Sequence, residues 1–74
     1  MKMPVISGKD AIKVFEKLGY VQVRQTGSHI RMKHISDHSK ISLTIPNHMV
    51  LGKGLLRKLL RDVDISTEDF VNLL

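Results

Sequence analysis

The chain contains no cysteine and no tryptophan. Without cysteine there is no disulfide framework, no thiolate zinc site, no iron–sulfur cluster and no cysteine nucleophile. Aromatic residues are few: Phe15, Tyr20 and Phe70 are all of them. A membrane-surface role would need a basic amphipathic helix with large aromatics on its apolar face, and the chain has none to spare. The longest unbroken apolar run is Met49-Val50-Leu51, so no segment is expected to span a membrane. Met1-Lys2-Met3-Pro4 shows no apolar stretch of a signal peptide, and the expected location is cytoplasmic. No repeat or Pro/Gly-rich linker divides the 74 residues. That length predicts one small domain over residues 1–74 and leaves no room for a Rossmann unit, a solenoid or a multi-domain enzyme. Apolar residues make up 42% of the chain, enough for one thin two-layer core.

Acidic residues are missing from one stretch in particular. Residues 20–61 hold eight cations (Arg24, Arg31, Lys33, Lys40, Lys53, Arg57, Lys58 and Arg61) against Asp37 alone, a local excess of seven positive charges in a chain of net +5. All four histidines lie in the same block, whereas residues 62–74 carry four acids and no base. Such a block attracts a polyanion, which inside a cell is usually nucleic acid. The plainer alternative is ordinary solvation of a small domain by lysine and arginine.

Hydrophobic periodicity predicts the elements. Ser7 with Asp10 three residues on reads as a helix start, Ala11, Phe15 and Leu18 recur at helical spacing, and Gly19 sits where a terminating glycine belongs, giving a helix over 8–18. The period then changes to two. Val21 and Val23 alternate with Gln22 and Arg24; a turn at Thr26-Gly27 leads to a strand over 28–35; the turn Ser36–Ser39 leads to a strand over 40–45. Pro46 ends that strand because it cannot donate to the ladder. A loop over 47–52 precedes a second helix starting near Lys53-Gly54, and Ser66 or Thr67 caps a last short helix. The prediction is an α+β domain of order α-β-β-β-α plus a short C-terminal helix, with a three-stranded antiparallel sheet and the helices on one face.

Strand parity then sorts side chains. If Val21, Val23, Ile30, Met32, Ile41, Leu43 and Ile45 face the helices, the open face shows Gln22, Arg24, His29, Arg31, Lys33, Lys40, Ser42 and Thr44. His29 thus stands among cations on an uncovered surface, and an imidazole is the side chain that takes or gives a proton near neutrality. A phosphate held by Arg31 or Lys33 beside that imidazole is the minimum for RNA transesterification: the histidine takes the 2′-hydroxyl proton and the cations stabilise the charge growing on phosphorus. The alternative is a polar residue on a solvated strand. On the second helix Lys53, Arg57 and Arg61 recur at i, i+4 and i+8, with Lys58 nearby. Like charges at that spacing destabilise a helix by a few tenths of a kcal/mol per pair. The stripe therefore reads either as a phosphate-binding face or as a solvated one. Four histidines within twenty residues invite a metal, but His29 and His34 fall on opposite sheet faces and no cysteine or spaced carboxylate completes a tetrahedral set, so no metal or cofactor is expected. No nucleophile-elbow motif is present.

In addition, Arg24-Gln25-Thr26-Gly27-Ser28-His29 resembles the R-Q-x-G-S-H signature of the HicA toxin family, small mRNA interferases of bacterial toxin–antitoxin systems. Further similarities follow in order: Ser7-Gly8-Lys9-Asp10 at the first helix, Leu18-Gly19-Tyr20, Pro46-Asn47-His48, and Lys53-Gly54-Leu55-Leu56-Arg57-Lys58-Leu59-Leu60. The resemblance covers about residues 4–70. It implies a fold like the double-stranded-RNA-binding domain, endoribonuclease activity without a metal, His29 as the catalytic residue, and a HicB-type antitoxin that covers the active surface. Arg24, Ser28, Arg31, Lys33, Lys53, Arg57 and Arg61 are the expected RNA-binding residues around it, and mRNA is the expected substrate. The part played by His48 stays open between touching RNA and capping a loop. Two other functions compete: a non-catalytic module that binds RNA through the same surface, and a protein whose basic face only docks an acidic partner. A His29→Ala substitution separates them, because only the enzyme should lose RNA cleavage while keeping its fold.

Overall fold

The computed structural model describes residues 2–74; Met1, the first residue of the expected domain, lies outside them. The elements run α1 (Gly8–Lys17), β1 (Tyr20–Thr26), β2 (His29–His34), β3 (Leu43–Pro46), α2 (Lys53–Val63) and α3 (Thr67–Asn72). The three strands form an antiparallel sheet in the order β1-β2-β3. This is the α+β, α-β-β-β-α arrangement of the double-stranded-RNA-binding domain, with a short helix added.

Local chemistry sets the helix ends where the sequence suggests. The Ser7 hydroxyl accepts from the Asp10 N–H at 3.0 Å and so occupies an orphan donor of the first turn of α1. After the Leu18 cap, Gly19 turns the chain at φ 97°, a left-handed value that a residue with a Cβ rarely adopts. Of the two candidates for the start of α3, Ser66 is the cap, accepting from the Asp69 N–H at 3.0 Å. Ala11, Ile12, Val14 and Phe15 of α1, Leu56, Leu59 and Leu60 of α2, and Phe70 of α3 are buried together with Ile30, Met32, Leu43 and Ile45 of the sheet. One core therefore lies between the helices and one sheet face. All three aromatic rings belong to it, Phe15 lying 6.4 Å from Tyr20 and 5.7 Å from Phe70 between centroids.

Two sheet expectations are corrected. In β1 it is Tyr20, 1% exposed, that faces the helices, while Val21 and Val23 are 37% and 49% exposed. Tyr20 pairs with His34 and Gln22 with Met32 on the helix side, and Val21 pairs with Lys33 on the open side. A bulge between Gln22 and Arg24 then inserts Val23, and Arg24 comes opposite Arg31 on the open face. Because side chains alternate with a period of two, one extra residue exchanges the faces of everything beyond it. So Arg24 reaches the open face as expected, and Gln22 does not.

The third strand is shorter than predicted. Asp37 Oδ1 accepts from the Ser39 hydroxyl at 2.6 Å and from the Ser39 N–H at 3.0 Å, and Asp37 O accepts from the Lys40 N–H at 3.2 Å. These bonds wind the chain into a wide turn, and pairing with β2 begins only at Leu43 opposite Met32. Ile41 is consequently 57% exposed instead of buried, and Lys40 and Ser42 stand outside the sheet.

Candidate functional site

Thr26 pairs directly with His29, so the turn between β1 and β2 is Gly27-Ser28, one residue later than the sequence suggested. Gly27 holds φ 58°, the positive value that two-residue hairpins place at their first central position. This turn makes His29 the first residue of β2. Its neighbour Ile30 is buried, so His29 points to the open face, between Thr26 on one side and Pro46 on the other. Arg31, two residues on, shares that face and lies opposite both Arg24 and Thr44. Its Nη1 donates to Thr44 Oγ1 at 3.3 Å.

Arg24, Thr26, His29, Arg31 and Thr44 line one shallow depression of roughly 150 Å³. A second hollow shares Arg24 and Arg31 and extends the basic surface to Lys33. Among the described residues no carboxylate lines either. Arg24 and Arg31 face each other across the strands, an arrangement in which like charges repel and an anion between them relieves the repulsion. An imidazole at the edge of a two-guanidinium cleft can exchange a proton with whatever anion the cleft holds. Thr26 was not foreseen as part of the depression, because its place follows from the turn's position; Gly27-Ser28, a glycine-first pair of the kind that makes two-residue hairpins, is the signal that would have found it.

Ser28 lies behind this face rather than on it. It is half-buried, its Oγ is 3.3 Å from His48 Nε2, and its carbonyl accepts from the Asn47 N–H at 2.7 Å. The His48 carbonyl in turn accepts from the Gly8 N–H at 2.8 Å, and the Ile6 carbonyl from the Leu51 N–H at 2.8 Å. Residues 47–51 are thus tied to the start of α1 and to the turn that carries His29. The structure places His48 with this loop; neither it nor Ser28 lines the depression.

The remaining expected cations are elsewhere. Lys53, Arg57 and Arg61 are exposed on α2. Lys53 and Arg57 line a groove of roughly 350 Å³ with Lys2, Met3 and Thr67, and that groove shares no residue with the His29 depression. Lys58 is bound to Asp62 at 2.8 Å within the same helix. The site therefore has two basic surfaces, one on the sheet and one on the helical layer.

His34 lies on the opposite face from His29, as parity requires, and has its own work. Its Nδ1 accepts from the N–H groups of Ser36 (3.3 Å) and Asp37 (3.0 Å), which leaves Nε2 to carry the proton and donate to the Leu18 carbonyl at 3.1 Å. Its ring meets Tyr20 edge-on at 5.2 Å. Among the described residues no group of three His, Asp or Glu side chains gathers around one point, and no helix is long and apolar enough to cross a membrane.

Residues 8–65 match the family model described as HicA toxin of bacterial toxin-antitoxin. The matched span runs from the first residue of α1 to just past the end of α2 and leaves α3 outside. No curated protein matches the chain.

Proposed function

The chain belongs to the HicA toxin family of bacterial toxin–antitoxin systems, and on that premise we propose that it is an endoribonuclease acting on mRNA, with His29 as its catalytic residue. The observation that carries this reading is the placement of the His29 imidazole beside the Arg24 and Arg31 guanidinium groups on an uncovered, carboxylate-free stretch of sheet. An RNA phosphodiester supplies the anion that the facing arginines lack. His29 takes the proton of the adjacent 2′-hydroxyl, the 2′-oxygen bonds to phosphorus, the bond to the 5′-oxygen breaks, and that oxygen takes a proton from solvent. Arg24 and Arg31 hold the charge that builds on the non-bridging oxygens, and Lys33 extends the same field.

Ser28 acts through geometry, holding the His48 loop against the turn that presents His29. Lys53, Arg57 and Arg61 bind RNA backbone flanking the cut, on the second basic surface. A HicB-type antitoxin covers the His29 face and so shields the host's mRNA. Residues 1–74 act as one toxin domain.

The test is induced expression of wild type and His29→Ala side by side, following growth and total mRNA integrity. Growth arrest with mRNA loss for wild type, and at least ~100-fold less cleavage for the variant at unchanged thermal midpoint, is the expected result. Arrest by both proteins would replace catalysis with toxicity through RNA binding alone.

A further inference from the structure

A groove of roughly 510 Å³ lies away from both basic surfaces, where the start of β1 meets the end of α2 and α3. Leu18, Val63 and Leu73 supply apolar walls, and Lys40, Asp64 and Asp69 are its exposed charges. Tyr20 also lines it. This side chain is 1% exposed, and its hydroxyl is buried with no hydrogen-bond partner among the described residues. Leaving a buried hydroxyl unpaired is destabilising, whereas a phenylalanine of the same shape would carry no such penalty. Burial first, and then the charges of Asp37 and Asp62, push the phenol above its ordinary 10.0, so the group is a proton donor in need of an acceptor. The two nearby carboxylates are already engaged, Asp62 by Lys58 and Asp37 by Ser39.

The charge around the groove selects the occupant. Residues 62–74 hold four acids and no base, and at the opening Asp64 and Asp69 outweigh Lys40, so the groove is net acidic and disfavours a phosphate backbone. A polypeptide meets every requirement, since it offers an apolar side chain, a neutral carbonyl acceptor and a basic residue in one short stretch. Membership of a toxin–antitoxin family supplies such a partner. We infer that this groove anchors an extended segment of the antitoxin, with an apolar side chain that parts the half-buried Leu18 and Leu73 beside Val63, a backbone carbonyl that thereby reaches and accepts from Tyr20 Oη, and a basic residue facing Asp64 and Asp69. The inference rests on the antitoxin-partner reading above and adds a second foothold to it. Tyr20 and the Thr26–His29 pair stand at opposite ends of β1, six residue steps and about 20 Å apart. Holding the toxin and blocking its RNA face are therefore separate tasks of the partner.

The experiment compares Tyr20→Phe with the parent chain, both carrying His29→Ala to remove toxicity, in calorimetric titration with a HicB-type antitoxin. The expected result is affinity lower by about 2- to 12-fold, the worth of one buried hydrogen bond, with the thermal midpoint of the free chain unchanged or raised. Asp69→Lys on the same background should also weaken binding. Equal affinity for Tyr20→Phe would mean that water serves the hydroxyl, and a lowered midpoint would mean an internal partner; either overturns the anchor while leaving the antitoxin reading intact. No binding by the parent chain would overturn both. A Tyr20→Phe chain with weakened RNA affinity would assign the groove to RNA instead.

Discussion

The two ends of the sheet are built in different ways. At the His29 end, backbone bonds do the holding: Asn47 to Ser28, Gly8 to His48 and Leu51 to Ile6 join a turn, a loop and a helix start into one unit. At the Tyr20 end, one backbone bond, from the Ile35 N–H to the Gly19 carbonyl at 2.8 Å, is outnumbered by bonds from side chains. His34 collects two backbone N–H groups and one carbonyl, Asp37 closes a turn through Ser39, and Tyr20 keeps a hydroxyl to spare. Backbone ties hold a position whatever the neighbouring side chains are. Side-chain ties can be traded for contacts with another molecule, and the difference suits the proposed roles, a fixed catalytic end and an adaptable docking end.

The largest test of this contrast is Gly8→Ala. A methyl group there would overlap the Pro46 carbonyl oxygen, with Pro46 C at 3.0 Å and Asn47 Cα at 3.1 Å, and none of these backbone atoms can swing aside. Stability should fall by about 3 kcal/mol in urea unfolding, the upper part of the range for overpacked sites, and RNA cleavage should fall with it at temperatures where the variant is still folded. A wild-type unfolding midpoint would show that the His29 end yields as easily as the other. Next comes His34→Ala, which removes three hydrogen bonds and the edge-on ring contact, for a loss of about 2 kcal/mol. Here RNA cleavage at low temperature should be unchanged, because the damage stays at the far end; a parallel loss of cleavage would tie the two ends together.

The smallest effect concerns pH. The Asp37 carboxyl is held below its ordinary 3.8 by the Ser39 hydroxyl first and the Ser39 N–H second. A lowered folded value stabilises the turn above the ordinary carboxylate range, and that stabilisation is lost as pH falls through the folded value. The protection factor of the Ser39 amide should therefore drop in wild type on acidification below about pH 4. In Asp37→Asn it should start lower and stay flat. A wild-type factor that ignores pH would remove Asp37 from the turn.

Much of this architecture can be read locally. Ser7, Gly19 and Ser66 announce helix ends because a cap is a matter of three or four consecutive residues, and Ile30, Met32, Leu43 and Ile45 declare their face because β2 and β3 pair without irregularity. His29, Arg31 and Lys33 were legible for the same reason. The bulge at Val23 was not, since Tyr-Val-Gln-Val-Arg alternates faultlessly on its own and only pairing against β2 shows that one residue is surplus. The late start of the third strand depends likewise on the Asp37–Ser39 bonds rather than on Ile41. Lys53, Arg57 and Arg61 were read correctly as exposed cations of one helix, but periodicity along a helix says nothing about which layer of the molecule that face looks out from.

That surplus residue has a further consequence. An open three-stranded sheet has two borders, each a row of unpaired amides on which a second copy of the chain can add its own strand, and both are spoiled here. The β1 border is broken midway by Val23, so no straight strand can follow it in register. The β3 border is four residues long and finishes in a proline, which has no N–H to offer. A protein with exposed valines on its outer strand can thereby remain free of sheet-to-sheet growth, and collisions between copies end without a ladder to climb.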